Sequence, residues 1–354
     1  MKHFIIPIFV PHKGCPHDCI FCNQKRITGQ YNDVEVEDVY KIIEEHLKTI
    51  DRNNSHIEIS FFGGSFTGIE IEKQKEFLSI AKEYVDKGLV DEIRLSTRPD
   101  YIDREILDNL KKYGVKNIEL GAQSMDDDVL MRQCRGHSSE DVVNASKLIK
   151  EYGFKLGLQM MVGLYGDSFE KDIYTAKKFI ELKPDFVRIY PTLVVKDTYL
   201  EVLYRKGMYK PLELIDAVYI CKELYKLFYK NNIYIMKIGL QVSDDFTLGK
   251  NVVAGPFHPA FRELVESSLL NDMILYYINM YFKESKSIEL IVNQKTLSKM
   301  YSDKKRFFND TLQQISDKKV KVHQSTDLDL FEICLRNEEK CYKMSLFDYI
   351  NSII

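Results

Sequence analysis

Apolar positions follow two alternating rhythms over the first 190 residues or so. Short runs dense in apolar and β-branched residues at 4–10, 57–62, 92–96, 117–120, 155–161 and 186–190 predict six strands. Between most of them the apolar spacing lengthens to a helical period, at 34–50, 70–86, 103–113, 139–152 and 169–182. In the first of these Val39, Ile42, Ile43, Leu47 and Ile50 share one face, and Asp33 stands at the cap position. Gly88, Gly114 and Gly153 fall just past three of the helices, where left-handed backbone ends a helix, and Pro99 stops the third strand. This alternation predicts a parallel α/β sheet with helices outside, its strands apolar enough to be buried on both faces. Six units are too few for a closed eight-stranded barrel, so the expected fold is a partial, TIM-like (βα)6 barrel. Chemistry in such folds gathers at the C-terminal ends of the strands.

The rhythm changes after Tyr190. A helix over 211–230, a strand over 233–240, a loop over 251–258 and a long helix over 261–282 predict a helical extension of the barrel. From about residue 286 a strand-helix-strand pattern restarts at lower hydrophobicity, with its clearest strands at 288–292 and 331–335. The expected domains are therefore a barrel with its extension over 1–285 and a small C-terminal α+β domain over 286–354.

Composition narrows the function classes. A chain of 354 residues that is 45% hydrophobic and 29% charged can bury a sizeable core, which excludes extended disorder. No window offers about 18 consecutive uncharged apolar residues, so no membrane span is expected. The formal net charge of −3 gives no overall basic bias toward nucleic acid. The first residues lack the pattern of a secretion signal, and a cytoplasmic location is the expectation. Thiols stay reduced there, so clustered cysteines read as metal ligands.

Three of the seven cysteines cluster as Cys15-Pro-His-Asp-Cys19-Ile-Phe-Cys22, directly after the first predicted strand. Gaps of three and two residues let one loop wrap three thiolates around a small inorganic core. A [4Fe–4S] cluster normally takes four thiolates; three leave one iron free to bind something else. The alternative is a structural zinc ion with His12 or His17 as fourth ligand, although such sites usually draw their ligands from two separated stretches.

Further polar groups fall at or near strand ends. Gly63-Gly64-Ser65 follows the second strand, Ser96-Thr97-Arg98-Pro99-Asp100 the third, and Glu119 to Ser124 the fourth. Arg132 to His137 lies slightly beyond, and Gln159 is a polar residue inside the apolar fifth strand, costly unless bonded. The glycine pair is also compatible with an ordinary turn, and Gln123 and Gln159 with service to loop backbone.

The cysteine spacing resembles the signature of the radical S-adenosylmethionine (SAM) superfamily. Together with "FFGGSFT", "STRPD", "ELGAQS", "RGH", "MMVGLYG" and "RIYPTLVVKDTYLEVLYRKGMYKP", it is similar to the Elongator catalytic subunit family over roughly residues 1–270. A more distant likeness is to oxygen-independent coproporphyrinogen oxidase. The resemblance implies a [4Fe–4S] cluster on Cys15, Cys19 and Cys22, and SAM bound at its open iron. It implies cofactor contacts from Gly63, Gly64, Ser65, Ser96, Gln123, Arg135 and Gln159, with backbone near Val187 and Ile189 against the adenine. It implies reductive cleavage of SAM to a 5′-deoxyadenosyl radical, an electron donor of the flavodoxin or ferredoxin type, and tRNA as a possible substrate.

Three departures from that family are expected from the sequence given: no counterpart of the family's N-terminal region before the cysteines, too few residues after 285 (about 70) for its acetyltransferase domain, and Tyr165 in place of a usual proline. The acetyl-dependent chemistry is therefore not carried over. Two basic stretches bear on RNA. Residues 295–323 hold eight Lys or Arg against three Asp, with Phe307 and Phe308 beside Arg306; Arg188, Lys196, Arg205, Lys206 and Lys210 add charge near the expected barrel mouth. A solvated helix face over core phenylalanines is the plainer reading of the first. Radical chemistry on a small molecule such as a tetrapyrrole, and a zinc-stabilised, non-catalytic RNA-binding module, remain as alternatives.

Overall fold

The computed structural model describes residues 2–10, 19–23, 26–27, 34–240 and 246–353. Cys15, His12, His17 and Asp33 lie outside the described residues. By packing, the chain divides into two compact units. The first holds residues 1–213, 233–237 and 241–257; the second holds 214–232, 238–240 and 258–354.

The first unit is built on strands β1 (Lys2–Val10), β2 (Ser55–Gly63), β3 (Glu92–Thr97), β4 (Val115–Gln123), β5 (Lys155–Val162) and β6 (Phe186–Pro191). Each pairs with the next in parallel. The crossovers are α1 (Val36–Leu47), α2 (Ile71–Asp86), α3 (Arg104–Lys112), the pair α4 (Asp127–Arg132) and α5 (Ser139–Glu151), and α6 (Phe169–Leu182). Local chemistry starts these helices where expected: Asp103, Ser138 and Ser168 each accept a backbone N–H of the first turn. Glu35 caps α1 through a reciprocal pair of bonds with Asp38.

The sheet has seven strands. After a short strand β7 (Val194–Val195) and helix α7 (Tyr199–Arg205), the chain passes through α8 (Leu214–Lys230) and returns as β8 (Tyr234–Ile238). That strand joins the free side of β6, giving the order β1-β2-β3-β4-β5-β6-β8. The partial α/β barrel is as expected, but the strand assigned to the extension is its seventh member. Among the described residues the sheet does not close, and β1 and β8 are its edges. The loop expected over 251–258 contains β9 (Val252–Ala254), which pairs antiparallel with β7.

One expectation is refined. The strands are buried on both faces, as expected, but only one face is uniformly apolar. Ile57, Ile59, Ile93, Leu95, Ile118, Leu120, Leu158, Met160, Val187 and Ile189 are all buried. Glu58, Ser60, Arg94, Glu119, Gln159 and Arg188 alternate with them and share the other face. Most of these polar residues are buried too, and are tolerated because opposite charges meet (Arg94–Glu58 at 2.7 Å, Arg188–Glu119 at 2.9 Å).

The second unit packs α8 and α9 (Phe261–Tyr281) with a four-stranded mixed sheet of order β11-β10-β12-β13. Its strands are β10 (Ser287–Val292), β11 (Lys319–Gln324), β12 (Glu332–Arg336) and β13 (Cys341–Ser345). Helices α10 (Gln294–Met300), α11 (Ser302–Gln314) and α12 (Leu346–Ile353) complete it. Phe308 is a core residue here, edge-on to Tyr301 at 5.0 Å, so it is not a surface stacking platform. No helix among the described residues is long and apolar enough to cross a membrane.

Candidate active site

The described part of the cysteine segment, residues 19–23, meets the C-terminal end of the sheet through the turn 133–137. Cys22 N–H donates to the Cys19 carbonyl at 2.9 Å, which closes the loop on itself. Ile20 N–H donates to the Gln133 carbonyl, and Leu200 N–H to the Ile20 carbonyl, tying the loop to both the turn and α7. Ile20 and Phe21 are buried with Met161, Leu164, Leu200 and Leu203, so apolar side chains anchor what the thiols do not. Cys19 is itself 4% exposed.

Arg135 is the joint between loop and sheet. Its Nη1 donates to Cys19 Sγ at 3.4 Å, and its Nη2 donates to the Gly121 carbonyl. Glycine at 121 eases this approach: a Cβ there would lie 3.1 Å from Arg135 Nη2 and 3.1 Å from Gln123 Nε2, so both side chains would have to give a little. The strand bulges at this point, and Gln123 takes a left-handed φ of +70°. Its Oε1 accepts from Gln159 Nε2 at 3.2 Å. Gly121, Gln159 and Arg188 form one row across β4, β5 and β6. Thus contacts run from Cys19 through Arg135 to Gly121, which lies in register with Gln159, the partner of Gln123.

The other expected residues are placed but not joined to these by contact. Gly63 ends β2 beside Val10, the last residue before the cysteine segment. Its φ is +104°, and a Cβ would stand 2.8 Å from the Val10 carbonyl. Gly64 N–H donates to that same carbonyl at 3.1 Å, and Ser65 is buried just behind. Ser96 lies in register with Glu119. Val187 and Ile189 commit their side chains to the apolar face, leaving only backbone for a ligand.

Two features were missed. The first is the support behind Arg135. Arg98, 2% exposed, donates to the Arg135 carbonyl at 2.6 Å and forks onto both oxygens of Asp100 at 2.9 Å. His137 Nε2 lies 3.2 Å from the Ala122 carbonyl. Burial, reinforced by the charges of Arg135 and Arg98, pushes its imidazole down to about 4, so it is neutral at physiological pH. The second is the charged inner face. Arg188, beside Glu119, stacks 5.2 Å over the Phe62 ring and donates to Tyr190 Oη at 3.2 Å. Lys237 of β8 is pushed down to about 8 by burial and by Arg188. The inner face was legible: a charged or polar residue flanked by apolar ones in strand after strand, as at Glu58, Arg94, Glu119, Gln159 and Arg188, is too costly to be accidental.

Residues 9–179 match the model of the Radical SAM superfamily, and residues 184–271 that of the Radical_SAM C-terminal domain. An uncharacterized protein of Methanocaldococcus jannaschii is 34% identical over 226 residues, which is 60% of this chain and 68% of that protein. The chain belongs to the radical SAM superfamily. Within it, the chain is related to the proteins named tRNA uridine(34) acetyltransferase and Elongator complex protein 3. The tRNA uridine(34) acetyltransferase of M. jannaschii is 28% identical over 254 residues, 60% of this chain and 47% of that protein. The chain thus spans about half the length of that curated relative. Among solved structures, the N-terminally deleted Elp3 of Methanocaldococcus infernus superposes with a TM-score of 0.60 at 21% identity, covering 80% of this chain and 64% of that one. This last likeness supports the partial barrel fold.

Membership of the radical SAM superfamily implies a [4Fe–4S] cluster and SAM. The residues present fit such groups. Cys19 and Cys22 are thiols held in one turn, with a guanidinium already aimed at one sulfur. Ser96 Oγ and Arg135 Nε are buried without a hydrogen-bond partner among the described residues, as expected of atoms reserved for a ligand. The Gly63–Val10 approach leaves a cradle that any side chain would fill.

Proposed function

We propose that this radical SAM enzyme acts on a nucleoside of RNA, with tRNA as the substrate class, in the cytoplasm and with an electron donor of the flavodoxin or ferredoxin type. The observation that carries the site assignment is the guanidinium of Arg135 on the sulfur of Cys19. That contact holds the sulfur in place beside the C-terminal end of β4, where a metal-bound cysteine would need a fixed position. The substrate class rests on the relatives named for tRNA uridine(34) and on the exposed strip at α7. That strip presents Tyr199, Tyr204, Arg205, Lys206 and Lys210 to solvent, suited to phosphate contact and stacking. Acetyl transfer is not part of the proposal, because the chain covers less than half of the relative so named.

In this reading Cys15, Cys19 and Cys22 ligate the cluster. When bound, the cluster and SAM together supply a 5′-deoxyadenosyl radical able to abstract hydrogen. The chain's own contribution is placement. Gly63 and Gly64 let backbone approach the cofactor's amino group, while Ser96, Gln123 and Gln159 offer neutral hydrogen-bonding groups to its polar atoms. Arg135 fixes the sulfur environment, and the Val187–Ile189 backbone lies against the adenine. Paired charges on the inner face present a preorganised surface to the substrate without a loose ion.

Anaerobic reconstitution of the full chain should give about four irons per chain. Reduction with SAM should release 5′-deoxyadenosine, and Cys19→Ala should abolish that release. A colourless protein holding one zinc on its cysteines would remove the radical reading. For the substrate class, nucleosides of bulk tRNA from a deletion strain would be compared with those of its parent. Identical profiles would leave the RNA assignment without support.

A further inference from the structure

The N-terminal ends of β1 and β2 lie at the end of the sheet away from the cysteine loop. His3 and His56 are register partners there, so both imidazoles leave the sheet on the same face, their ring centres 5.3 Å apart. Glu58, two residues on, shares that face. His3 Nε2 lies 3.1 Å from Glu58 Oε1, and His56 Nε2 lies 3.7 Å from the same oxygen. The three donor atoms fall within 4.8 Å of one another. A tetrahedral ion with ligands at about 2.0–2.2 Å separates its ligand atoms by about 3.3–3.6 Å, so small rotations suffice to enclose one.

The surroundings are arranged as ligands require. The other Glu58 oxygen, Oε2, accepts from Arg94 Nε at 2.7 Å, which fixes the carboxylate and leaves Oε1 for an ion. Asp91 Oδ2 stands 3.7 Å from His56 Nδ1, the nitrogen facing away from Glu58. Asp91 is in turn held through both oxygens by Arg52 at 2.7 Å. A carboxylate behind a ligating imidazole sets its tautomer and raises its basicity. Side-chain exposures of 42% for His3 and 34% for His56, against 4% for Glu58, give a buried base with an open entrance.

We propose that His3, His56 and Glu58 form a binding site for a divalent first-row transition metal, zinc foremost, with a fourth position left to water. The site stands apart from the cysteines: His3 and Val10 are seven residues apart on one strand, about 23 Å at 3.3 Å per residue. Its ion pins edge strand β1 to β2, and β1 leads directly into the cysteine segment.

The test uses the reconstituted full chain without a histidine tag, dialysed against zinc chloride, with zinc and iron counted per chain. One zinc should bind beside the iron. His3→Ala and His56→Ala should each lose it with iron unchanged. Zinc-edge X-ray absorption should show only nitrogen and oxygen neighbours near 2.0–2.1 Å. No bound zinc, zinc retained in both variants, or sulfur neighbours near 2.3 Å would overturn the site. The two histidines carry the test because they are surface residues, whereas Glu58→Gln would also disturb Arg94.

Discussion

Arg135 serves two acceptors with one planar group, a sulfur on the cysteine loop and a carbonyl on β4. A lysine keeps the charge but cannot fork in this way. Loss of a hydrogen bond to a charged group costs about 1.5–3 kcal/mol, roughly tenfold to hundredfold. Arg135→Ala is therefore expected to slow 5′-deoxyadenosine release by at least tenfold, with Arg135→Lys recovering part of it. An unchanged rate in the alanine variant would remove Arg135 from the site. His137 gives a second prediction. Its imidazole titrates near 4 when folded, against about 6.5 when unfolded, so the unfolded chain binds the extra proton between those values. Stability should therefore fall as pH drops from about 6.5 toward 4, by on the order of 3 kcal/mol from this group. Urea midpoints at pH 7 and pH 5 check this. His137→Gln, which can still donate to Ala122, should lose less stability over that interval than the unaltered chain. Neither role was legible in sequence. The "RGH" stretch stood out, but nothing in it names Cys19, Gly121 or Ala122 as partners.

Among the elements, the outer face of the sheet was readable and the inner one was not read. Helix-facing positions such as Ile93, Leu95, Leu158 and Val187 form apolar runs, and those runs gave six strands nearly in place. Between them, the stripe of Glu58, Arg94, Glu119 and Arg188 carries the inner face through cross-strand pairing, which depends on neighbours that periodicity does not name. The pairing predicts an asymmetry between single and double substitution. Arg188→Met leaves Glu119, 2% exposed, as an uncompensated charge and should destabilise by about 3–5 kcal/mol. Adding Glu119→Leu should restore most of that in chemical denaturation. Additive losses would show that the two residues act independently. Of the C-terminal strands, β10 and β12 fall where expected and β11 was not legible. β11 is mostly exposed along Lys319–Gln324, and such a strand carries little apolar signal to detect.

For the molecule as a whole, periodicity could locate β8 but not seat it in the sheet, because sheet order depends on where a chain returns after two helices. Charge, too, has to be read locally. With a net charge of −3, affinity for RNA must come from patches such as the strip at α7. Replacing Lys206 and Lys210 by Glu should weaken tRNA retention. It should also flatten the plot of log affinity against log salt by roughly 0.7–0.9 for each phosphate no longer neutralised. Filter binding at several salt concentrations measures this, and an unaltered slope would take the strip out of the interface. The Cys19–Arg135 bond also spans 116 residues of sequence. At about 5–20 residues per second, the ribosome needs roughly 6–23 seconds to make the arginine after the cysteine. During that interval the thiols emerge without their cation and without the β4 carbonyl that orients it. Iron loaded then would meet bare sulfur in an unfolded segment. The expected consequence is an order of maturation, in which the first four β-α units close before the cysteines acquire their full surroundings.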